Sequence, residues 1–222
     1  MERLTVNINV SNTLFLRDPD ASSLGRKIVS ESINLINDLG FEAFTFKKLG
    51  ERIGSPESSI YRYFESKHAL LTYLVSWYWG WVEYRLTFAI ANIEDPHEQL
   101  RRAISVLVDP ITEDTSISHI NEVLLNKIII SESFKAYHIK EVDYQNEKGC
   151  FRKLKQVVQH VSDLVLKVNP EYNYPHILIS TLIEGVHHQR YFAEHLPSLT
   201  DTTEELDSIS DFYHQLVFKA IK

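Results

Sequence analysis

Residues 54–71 read GSPESSIYRYFESKHALL, and this short stretch decides the fold. Gly54 interrupts the preceding helical pattern, and Ser55, Pro56 and Glu57 are residues typical of a helix start. Ser55 is the predicted N-cap, with Pro56 in the first helical position. Aromatic residues so closely spaced would usually form core, yet here they alternate with serines and an arginine. The stretch therefore predicts a short helix with one apolar side and one polar side.

The polar side of this predicted helix, Glu57–Phe64, consists of two adjacent rows. Its members are Ser58 with Arg62 and Ser59 with Tyr63, each pair four residues apart. Ile60 and Phe64 occupy the apolar seam, with Tyr61 beside them. Small hydroxyls and a guanidinium can hydrogen-bond base edges and phosphates without bulk near the helix start. The pattern therefore suits a surface that contacts nucleic acid.

A helix of similar length precedes this stretch. Thr45 is a suitable N-cap for residues 46–53, and Leu49 and Ile53 lie four apart on its predicted inward face. Two short helices joined by a turn that contains a glycine have helix-turn-helix spacing. Spacing alone leaves two interpretations open, a DNA-binding helix-turn-helix and an ordinary pair of surface helices.

The residues around these two helices carry a family resemblance over Arg26–Leu71. The shared features are the Gly40-Phe41 step, the Thr45 cap, the turn glycine Gly54, the Tyr61-x-x-Phe64 pair and the Ser66-Lys67 dipeptide. In these features the segment resembles the DNA-binding domain of the tetracycline-repressor (TetR) family of bacterial transcription regulators. The match has no gaps and covers about a fifth of the chain.

The resemblance implies roles for individual side chains. Groove-facing positions fall on Ser58, Ser59, Arg62 and Tyr63, and phosphate contacts fall on Thr45, Tyr61 and Lys67. Lys47 and Ser55 complete the predicted DNA-binding set. Lys67 also stands at a predicted helix start, where the helix dipole favours an anion. Pro56 and Glu57 depart from the family pattern, and Glu57 would repel phosphate or accept a hydrogen bond from a cytosine amino group.

The composition of the whole chain is that of a helical globular protein. Of its 222 residues 44% are hydrophobic, while Gly and Pro number only seven each. We predict an all-α fold with three parts: residues 1–23 as an N-terminal arm or hairpin, 24–70 as a three-helix helix-turn-helix domain, and 71–222 as a larger helical effector-binding and dimerisation domain. The arm is expected to be extended because apolar and polar residues alternate from Thr5 to Val10, with a turn into Thr13–Arg17.

Helical periodicity continues through the larger part of the chain. Helices are predicted at 96–108, 117–132, 147–168, 174–195 and 204–221, between Asp-Pro, Asn-Pro and Leu-Pro breaks. Residues 133–146 are predicted as an irregular connection or a frayed helix. The net charge is −7, yet residues 24–70 hold seven bases and six acids, so the acidic excess lies elsewhere. This distribution indicates a near-neutral N-terminal unit on an acidic body.

Aromatic residues crowd the helix predicted after Ser66, where all three tryptophans fall within five residues. One interpretation is core packing and dimer contact. The other is the aromatic wall of an apolar ligand pocket, with Trp77, Trp81 and Tyr84 as its residues. In the TetR family the larger domain dimerises and binds a small molecule. The segment 174–195 resembles a dimer-forming helix, and together with 204–221 it would form a four-helix interface across a two-fold axis.

Glu184 and His187 have the Glu-x-x-His spacing of di-iron carboxylate bundles. That architecture needs two such motifs, and the other match, Glu94 to His97, straddles Pro96. The alternative is that these are exposed or interface histidines, so no metal and no cofactor is predicted. The single cysteine, Cys150, is interpreted as structural.

Together these patterns predict a ligand-responsive transcriptional repressor that binds a palindromic double-stranded operator as a homodimer and responds to an unidentified small molecule. No phosphate-binding loop, G-x-S-x-G or HExxH motif occurs, so an enzyme is not expected. No signal-peptide pattern or membrane-length apolar run is seen, so a cytoplasmic protein without membrane contact is expected. Two alternatives stay open, a helical-bundle metalloenzyme using Glu184 and His187 and a ligand-binding or partner-binding module that has lost DNA binding.

Overall fold

The computed structural model describes residues 8–113, 119–203 and 206–222. Its α-helices are α1 (Ser23–Ala43), α2 (Phe46–Ile53), α3 (Glu57–Ile60), α4 (Lys67–Ile90), α5 (Pro96–Val108), α6 (Glu122–Glu132), α7 (Phe134–Tyr137), α8 (Val142–Glu147), α9 (Arg152–Val168), α10 (Pro175–His195) and α11 (Ser208–Ala220). Within these three ranges no residue is in a β-strand, which confirms the all-α prediction. No helix of the described part is both long enough and apolar enough to cross a bilayer.

The chain divides into two compact units. The first holds the described residues up to Gly80 together with those of Ile111–Arg152, and the second holds Trp81–Pro110 with the described part of Lys153–Lys222. The domain boundaries predicted after residues 23 and 70 stay predictions.

The first unit is organised around α1, which packs against α2 and α6. Ser22 caps α1, because its Oγ accepts a hydrogen bond from the Gly25 N–H at 3.0 Å. Gly40 has φ 76° and interrupts the helical geometry near the end of α1, as predicted. Ile28 and Ile36 of α1 are buried, so the face with helical periodicity is the core face.

The predicted N-terminal hairpin is wrong where the structure describes it. The pattern predicts a strand at Thr13–Arg17, but Asn12–Leu14 form a 3-10 turn and Leu14 is buried. The Leu16 N–H donates to the Tyr63 carbonyl at 2.8 Å. Since an isolated two-stranded hairpin is marginally stable, burial of apolar side chains against helices is the better outcome for this segment. Residues 1–7, which carry part of the predicted alternation, lie outside the described ranges.

The second unit is built from α5, α9, α10, α11 and the later residues of α4. Within it α11 packs against α5 and α10. Arg190 connects these elements, because its guanidinium pairs with Asp207 at 2.8 Å and donates to the Val108 carbonyl at 2.7 Å. Gly185 gives close approach between α10 and α11, since a Cβ there would lie 2.1 Å from the Tyr213 hydroxyl.

Most predicted helix bounds in the later chain are confirmed to within a residue or two, and the exceptions have local causes. α6 begins at Glu122, because the Asn121 side chain caps it by accepting from the Leu124 N–H, and the predicted start at 117 lies outside the described residues. α9 begins at Arg152 and not at 147, because Gly149 has φ 80°. The segment 133–146 contains two short helices, α7 and α8. The start of α11 lies at Ser208, and residues 204–205 fall outside the described ranges.

Candidate DNA-binding surface

Helix α2 starts at the predicted cap. The Thr45 Oγ1 accepts a hydrogen bond from the Lys48 N–H at 3.2 Å, and Leu49 is buried on the inward face. Thr45, Lys47 and Lys48 are exposed. The Lys48 ammonium donates to the Ala43 carbonyl at 2.7 Å. The first turn of α2 therefore presents two cations and a threonine to solvent.

The turn between α2 and α3 is tight. Gly54 adopts the left-handed conformation, with φ 68° and ψ 37°, and ends α2 as predicted. The Ser55 N–H then donates to the Gly50 carbonyl at 2.9 Å. A Cβ on Gly50 would lie 2.6 Å from the Ser55 carbonyl oxygen, so this close approach depends on a glycine inside α2. Sequence spacing does not reveal that requirement, because the contact is set by the path of the chain after the turn.

Helix α3 is shorter than predicted. It spans Glu57–Ile60 and not Glu57–Phe64, and its N-cap is Pro56 without a side-chain hydrogen bond, so the prediction that Ser55 caps it is wrong. Pro56 has an extended backbone, with φ −63° and ψ 146°, which moves the helix start one residue later. Beyond Ile60 the Tyr63 N–H donates to the Ile60 carbonyl, the three-residue spacing of a 3-10 turn.

One of the two predicted polar rows faces solvent. Ser58 and Arg62 are both exposed. The Arg62 guanidinium donates to the Ser59 Oγ at 3.2 Å, which holds the end of this long side chain near α3. Ser55 at the turn is half-buried. The exposure of this row agrees with a groove-facing position, and its contact with DNA stays a prediction.

The other row is buried, so the groove-facing orientation predicted for Ser59 and Tyr63 is wrong. Ser59 is 4% exposed and Tyr63 is 2% exposed. The Tyr63 hydroxyl lies 2.8 Å from the Ser22 Oγ, and the Arg17 guanidinium lies 5.4 Å from the centre of its ring. Regular helical spacing ends at Ile60, and the tighter turn that follows directs the Tyr63 ring inward. Tyr63 therefore anchors the end of the turn to the N-terminal segment.

Tyr61 and Lys67, the predicted phosphate contacts, lie in different environments. Tyr61 is 47% exposed and its ring packs edge-on against Phe46 at 5.0 Å. The Lys67 ammonium donates to the carbonyls of Phe41 at 3.0 Å and Glu42 at 3.2 Å. It also lies 4.8 Å from the centre of the Phe41 ring. Lys67 thus satisfies carbonyls at the end of α1, which favours a structural role.

Cationic side chains on this surface differ in their partners. Arg52 pairs with Glu31 at 2.8 Å and with Asp38 at 2.5 Å, and these carboxylates raise the pKa of its guanidinium. No described carboxylate lies within ion-pair distance of Lys47, Lys48 or Arg62, and all three are exposed. Lys47, Lys48 and Arg62 are therefore the cations of the surface that stay available to a polyanion.

The segment that carries this surface matches a known protein family. The sequence model of the bacterial regulatory proteins of the tetR family matches residues 28–74, the segment that contains α1, α2 and α3 up to the first turns of α4. The match covers residues 28–74 of the 222 and contains the helix-turn-helix of α2 and α3. This segment is a DNA-binding domain of the tetR family.

Solved structures show the same overall fold at low sequence identity. The chain is similar to the superantigen PfiT, with 15% identity, a TM-score of 0.59, and 91% of this chain and 97% of that chain covered. It is similar to PfmR, a TetR family transcriptional regulator from Thermus thermophilus, with 14% identity, a TM-score of 0.58, and coverage of 88% and 98%. It is also similar to AibR, solved in complex with isovaleryl coenzyme A and operator DNA, with 15% identity, a TM-score of 0.56, and coverage of 87% and 97%. No curated protein sequence matches the chain.

The aromatic residues predicted as a ligand wall are mostly buried. Trp77 is 2% exposed and Trp81 is 1% exposed, whereas Tyr84 is half-buried. The Tyr84 ring lies 4.7 Å from that of Phe88, and the Arg85 guanidinium lies 4.8 Å from the Trp81 ring. Their contact with a ligand stays a prediction.

His187 and Glu184, both on α10, differ in their exposure to solvent. His187 is 9% exposed, so the expectation of an exposed histidine is wrong for this residue, while Glu184 and His188 are exposed. Burial lowers the pKa of His187 to about 4, against an opposing effect of the Glu184 charge. Among the described residues, His, Cys, Asp and Glu side chains do not assemble into a group of three or more that could hold a metal ion.

Proposed function

We propose that this protein is a ligand-responsive repressor that binds a palindromic operator as a homodimer in the cytoplasm. The observation that carries the proposal is the exposed Ser58–Arg62 row on α3, which stands beside the exposed lysines of α2. Both elements belong to the segment that matches the tetR-family model.

Base recognition is assigned to Ser58 and Arg62. A guanidinium can donate two hydrogen bonds to the O6 and N7 of guanine, and a serine hydroxyl can donate to or accept from either base of a pair. Arg62 has no described carboxylate partner that would compete for its charge. Ser59 and Tyr63 instead hold the short helix in place, because both are buried.

Phosphate contact is assigned to the residues that flank this row. They are Thr45, Lys47, Lys48, Ser55 and Tyr61. Each is exposed or half-buried, and the lysines supply the charge that drives counterion release from DNA. Lys67 is left out of this set because it is half-buried and its ammonium donates to several carbonyls at the end of α1, whereas the exposed Lys48 donates to one.

Dimerisation is assigned to one face of the second unit. On α10 the exposed residues recur at steps of four and three: Ile177, Thr181, Glu184, His188 and Tyr191. Ile177 is 65% exposed, and Phe212 and Leu216 of the neighbouring α11 are 56% and 37% exposed. Apolar side chains at helical spacing on two adjacent helices suit a four-helix interface across a two-fold axis. A dimer that binds both half-sites of a palindrome needs its two copies of α3 about 34–36 Å apart.

The proposal also includes a response to a small-molecule ligand. AibR, which has the same fold, was solved with isovaleryl coenzyme A and operator DNA together. For this chain we assign an unidentified effector, with Trp77, Trp81 and Tyr84 of α4 as candidate contacts.

Selection of bound sequences from a random double-stranded DNA library tests the proposal. Purified protein should enrich a palindrome whose half-sites are about one helical turn apart, and binding should weaken steeply as salt rises. Enrichment of no sequence at low salt would overturn the assignment of Ser58 and Arg62. Enrichment of a single half-site would retain that assignment and overturn the dimer.

A further inference from the structure

A cavity of about 310 Å³ lies in the first unit, beside the DNA-binding helices. Its walls come from three separate parts of the chain: the N-terminal segment 13–16, the first turns of α4, and the segment 141–150. It is separate from Trp77, Trp81 and Tyr84, which do not line it. The volume lies at the small end of the range for sites that bind small molecules.

The lining of this cavity combines apolar and polar groups in similar amounts. Leu14, Phe15 and Ala69 contribute apolar surface, and the buried Cys150 contributes a thiol whose pKa is raised by burial. The Gln145 Oε1 is buried and has no hydrogen-bond partner among the described residues. A buried carbonyl oxygen without a donor is unusual in a native protein and calls for a ligand group or a water.

The rim of the cavity carries more negative than positive charge. Glu65 and Glu141 line it, and no described lysine, arginine or histidine lies within ion-pair distance of either. Lys148 also lines it, with its ammonium 4.2 Å from the centre of the Tyr144 ring, and both Tyr144 and the Glu65 charge raise the pKa of this lysine. Because two carboxylates outnumber this one cation, the cavity favours a ligand with a positively charged, hydrogen-bond-donating end.

The N-terminal segment links this cavity to the DNA-binding surface. At one end the Thr13 hydroxyl donates to the Lys148 carbonyl at 3.1 Å. At the other end the Leu16 N–H donates to the Tyr63 carbonyl at 2.8 Å, at the end of the turn that follows α3. A ligand in the cavity would therefore contact the N-terminal segment, whose Leu16 N–H is hydrogen-bonded to the Tyr63 carbonyl.

We propose that this cavity is a binding site for small amphipathic amines, in which an apolar group contacts Phe15 and Ala69 and the ammonium lies between Glu65 and Glu141. Rotation of the Gln145 amide brings its unpaired oxygen to the ligand as an acceptor. Binding changes operator affinity through the N-terminal segment, and this regulatory half rests on the proposed function.

Titration calorimetry of the full-length protein with tryptamine, and with indole-3-acetate as the anionic match, tests the site. Tryptamine should bind saturably, one per chain, below about 1 mM, with at least tenfold preference over indole-3-acetate. Glu141→Gln should weaken binding about two- to fivefold, since an exposed ion pair is worth little. Glu147→Gln on the same helix should not change it, because Glu147 does not line the cavity.

A cavity-filling variant gives a second arm. Ala69→Leu should weaken tryptamine binding at least fivefold, with folding checked by thermal denaturation. No saturable tryptamine binding, equal binding of indole-3-acetate, or binding unchanged in both Glu141→Gln and Ala69→Leu would overturn the site.

Bound tryptamine should then change operator affinity by at least about fivefold. Unchanged operator affinity would overturn the regulatory half alone, whereas tryptamine binding without any operator binding would leave the site standing and overturn the proposed function.

Discussion

The Tyr63 hydroxyl lies 2.8 Å from the Ser22 Oγ, and the same Ser22 oxygen accepts the hydrogen bond that caps α1. Two residues 41 positions apart thereby join the turn after α3 to the start of α1. Tyr63, which the sequence pattern predicts to contact the DNA groove, therefore has a structural role.

Tyr63→Phe should lower the free energy of unfolding by about 0.5–1.5 kcal/mol, because it removes one partly buried hydrogen bond. The preferred DNA sequence should not change, since the ring is buried. Urea denaturation measures the first effect and binding to a set of operator variants measures the second. Tyr61→Phe is the matched control and should leave stability nearly unchanged. A shift in base preference in Tyr63→Phe would show that this residue reaches DNA.

Lys67→Met should destabilise the protein by about 1–3 kcal/mol. The ammonium donates to three carbonyls at the end of α1, those of Phe41, Glu42 and Phe44, and loss of this charged donor removes the partner of the two part-buried acceptors, Phe41 and Phe44. Chemical denaturation provides the measurement. Lys47→Met, an exposed lysine on the same domain, should stay within about 0.5 kcal/mol of the wild type in stability. Its DNA affinity should fall, with the salt slope lower by about one. The reverse pattern between the two variants would mean that Lys67 is the phosphate contact.

Gly50→Ala should destabilise the protein although alanine favours a helix. Replacement of glycine by alanine gains up to about 1 kcal/mol in helix propensity. The added Cβ would lie 2.6 Å from the Ser55 carbonyl oxygen, and such overpacking costs about 1–3 kcal/mol. The clash is with backbone, so we expect a net loss, measured by urea denaturation. Glu51→Ala, at the next and exposed position of α2, controls for propensity and should change stability little. Equal stabilisation by both variants would contradict the tight turn.

The helix-turn-helix could be predicted because its signals are local. Thr45 as a cap, Gly54 in the left-handed conformation and the buried periodicity of α1 follow from side-chain chemistry within a few residues, and the structure confirms each. The direction of Ser59 and Tyr63 could not be obtained that way. For Tyr63 it depends on a helix that ends at Ile60 and on a contact with Ser22, far away in the sequence, and Ser59 is buried within α3 itself.

The N-terminal segment shows the same limit of local patterns. Alternation of apolar and polar residues predicts a strand, but a strand needs a partner, and the described part of this segment packs on helices instead. The tertiary environment likewise decides the state of His187, which the sequence left open between an exposed and an interface position. The aromatic content of α4 was evident from the sequence, but its spacing did not distinguish core from ligand wall.

His187 should make stability depend on pH between about 6.5 and 4. Burial lowers its folded-state pKa to about 4, so the unfolded chain binds a proton that the folded protein does not over this range. Stability is therefore fully present above pH 6.5 and is lost as pH falls, by about 3 kcal/mol near pH 4. Urea denaturation at several pH values measures this slope, which should be smaller in His187→Asn and unchanged in His188→Asn. An equal slope in His187→Asn would assign the pH dependence to other groups.

The most direct test of base recognition by α3 is a comparison of Arg62→Ala and Lys47→Ala on DNA selected by the wild type, across single base-pair variants of one half-site. Arg62→Ala should lose about 1–3 kcal/mol of discrimination at one base pair, and Lys47→Ala should weaken all sequences alike. Uniform weakening by Arg62→Ala, with base preference intact at every position, would contradict the assignment of Arg62 as a base-reading residue.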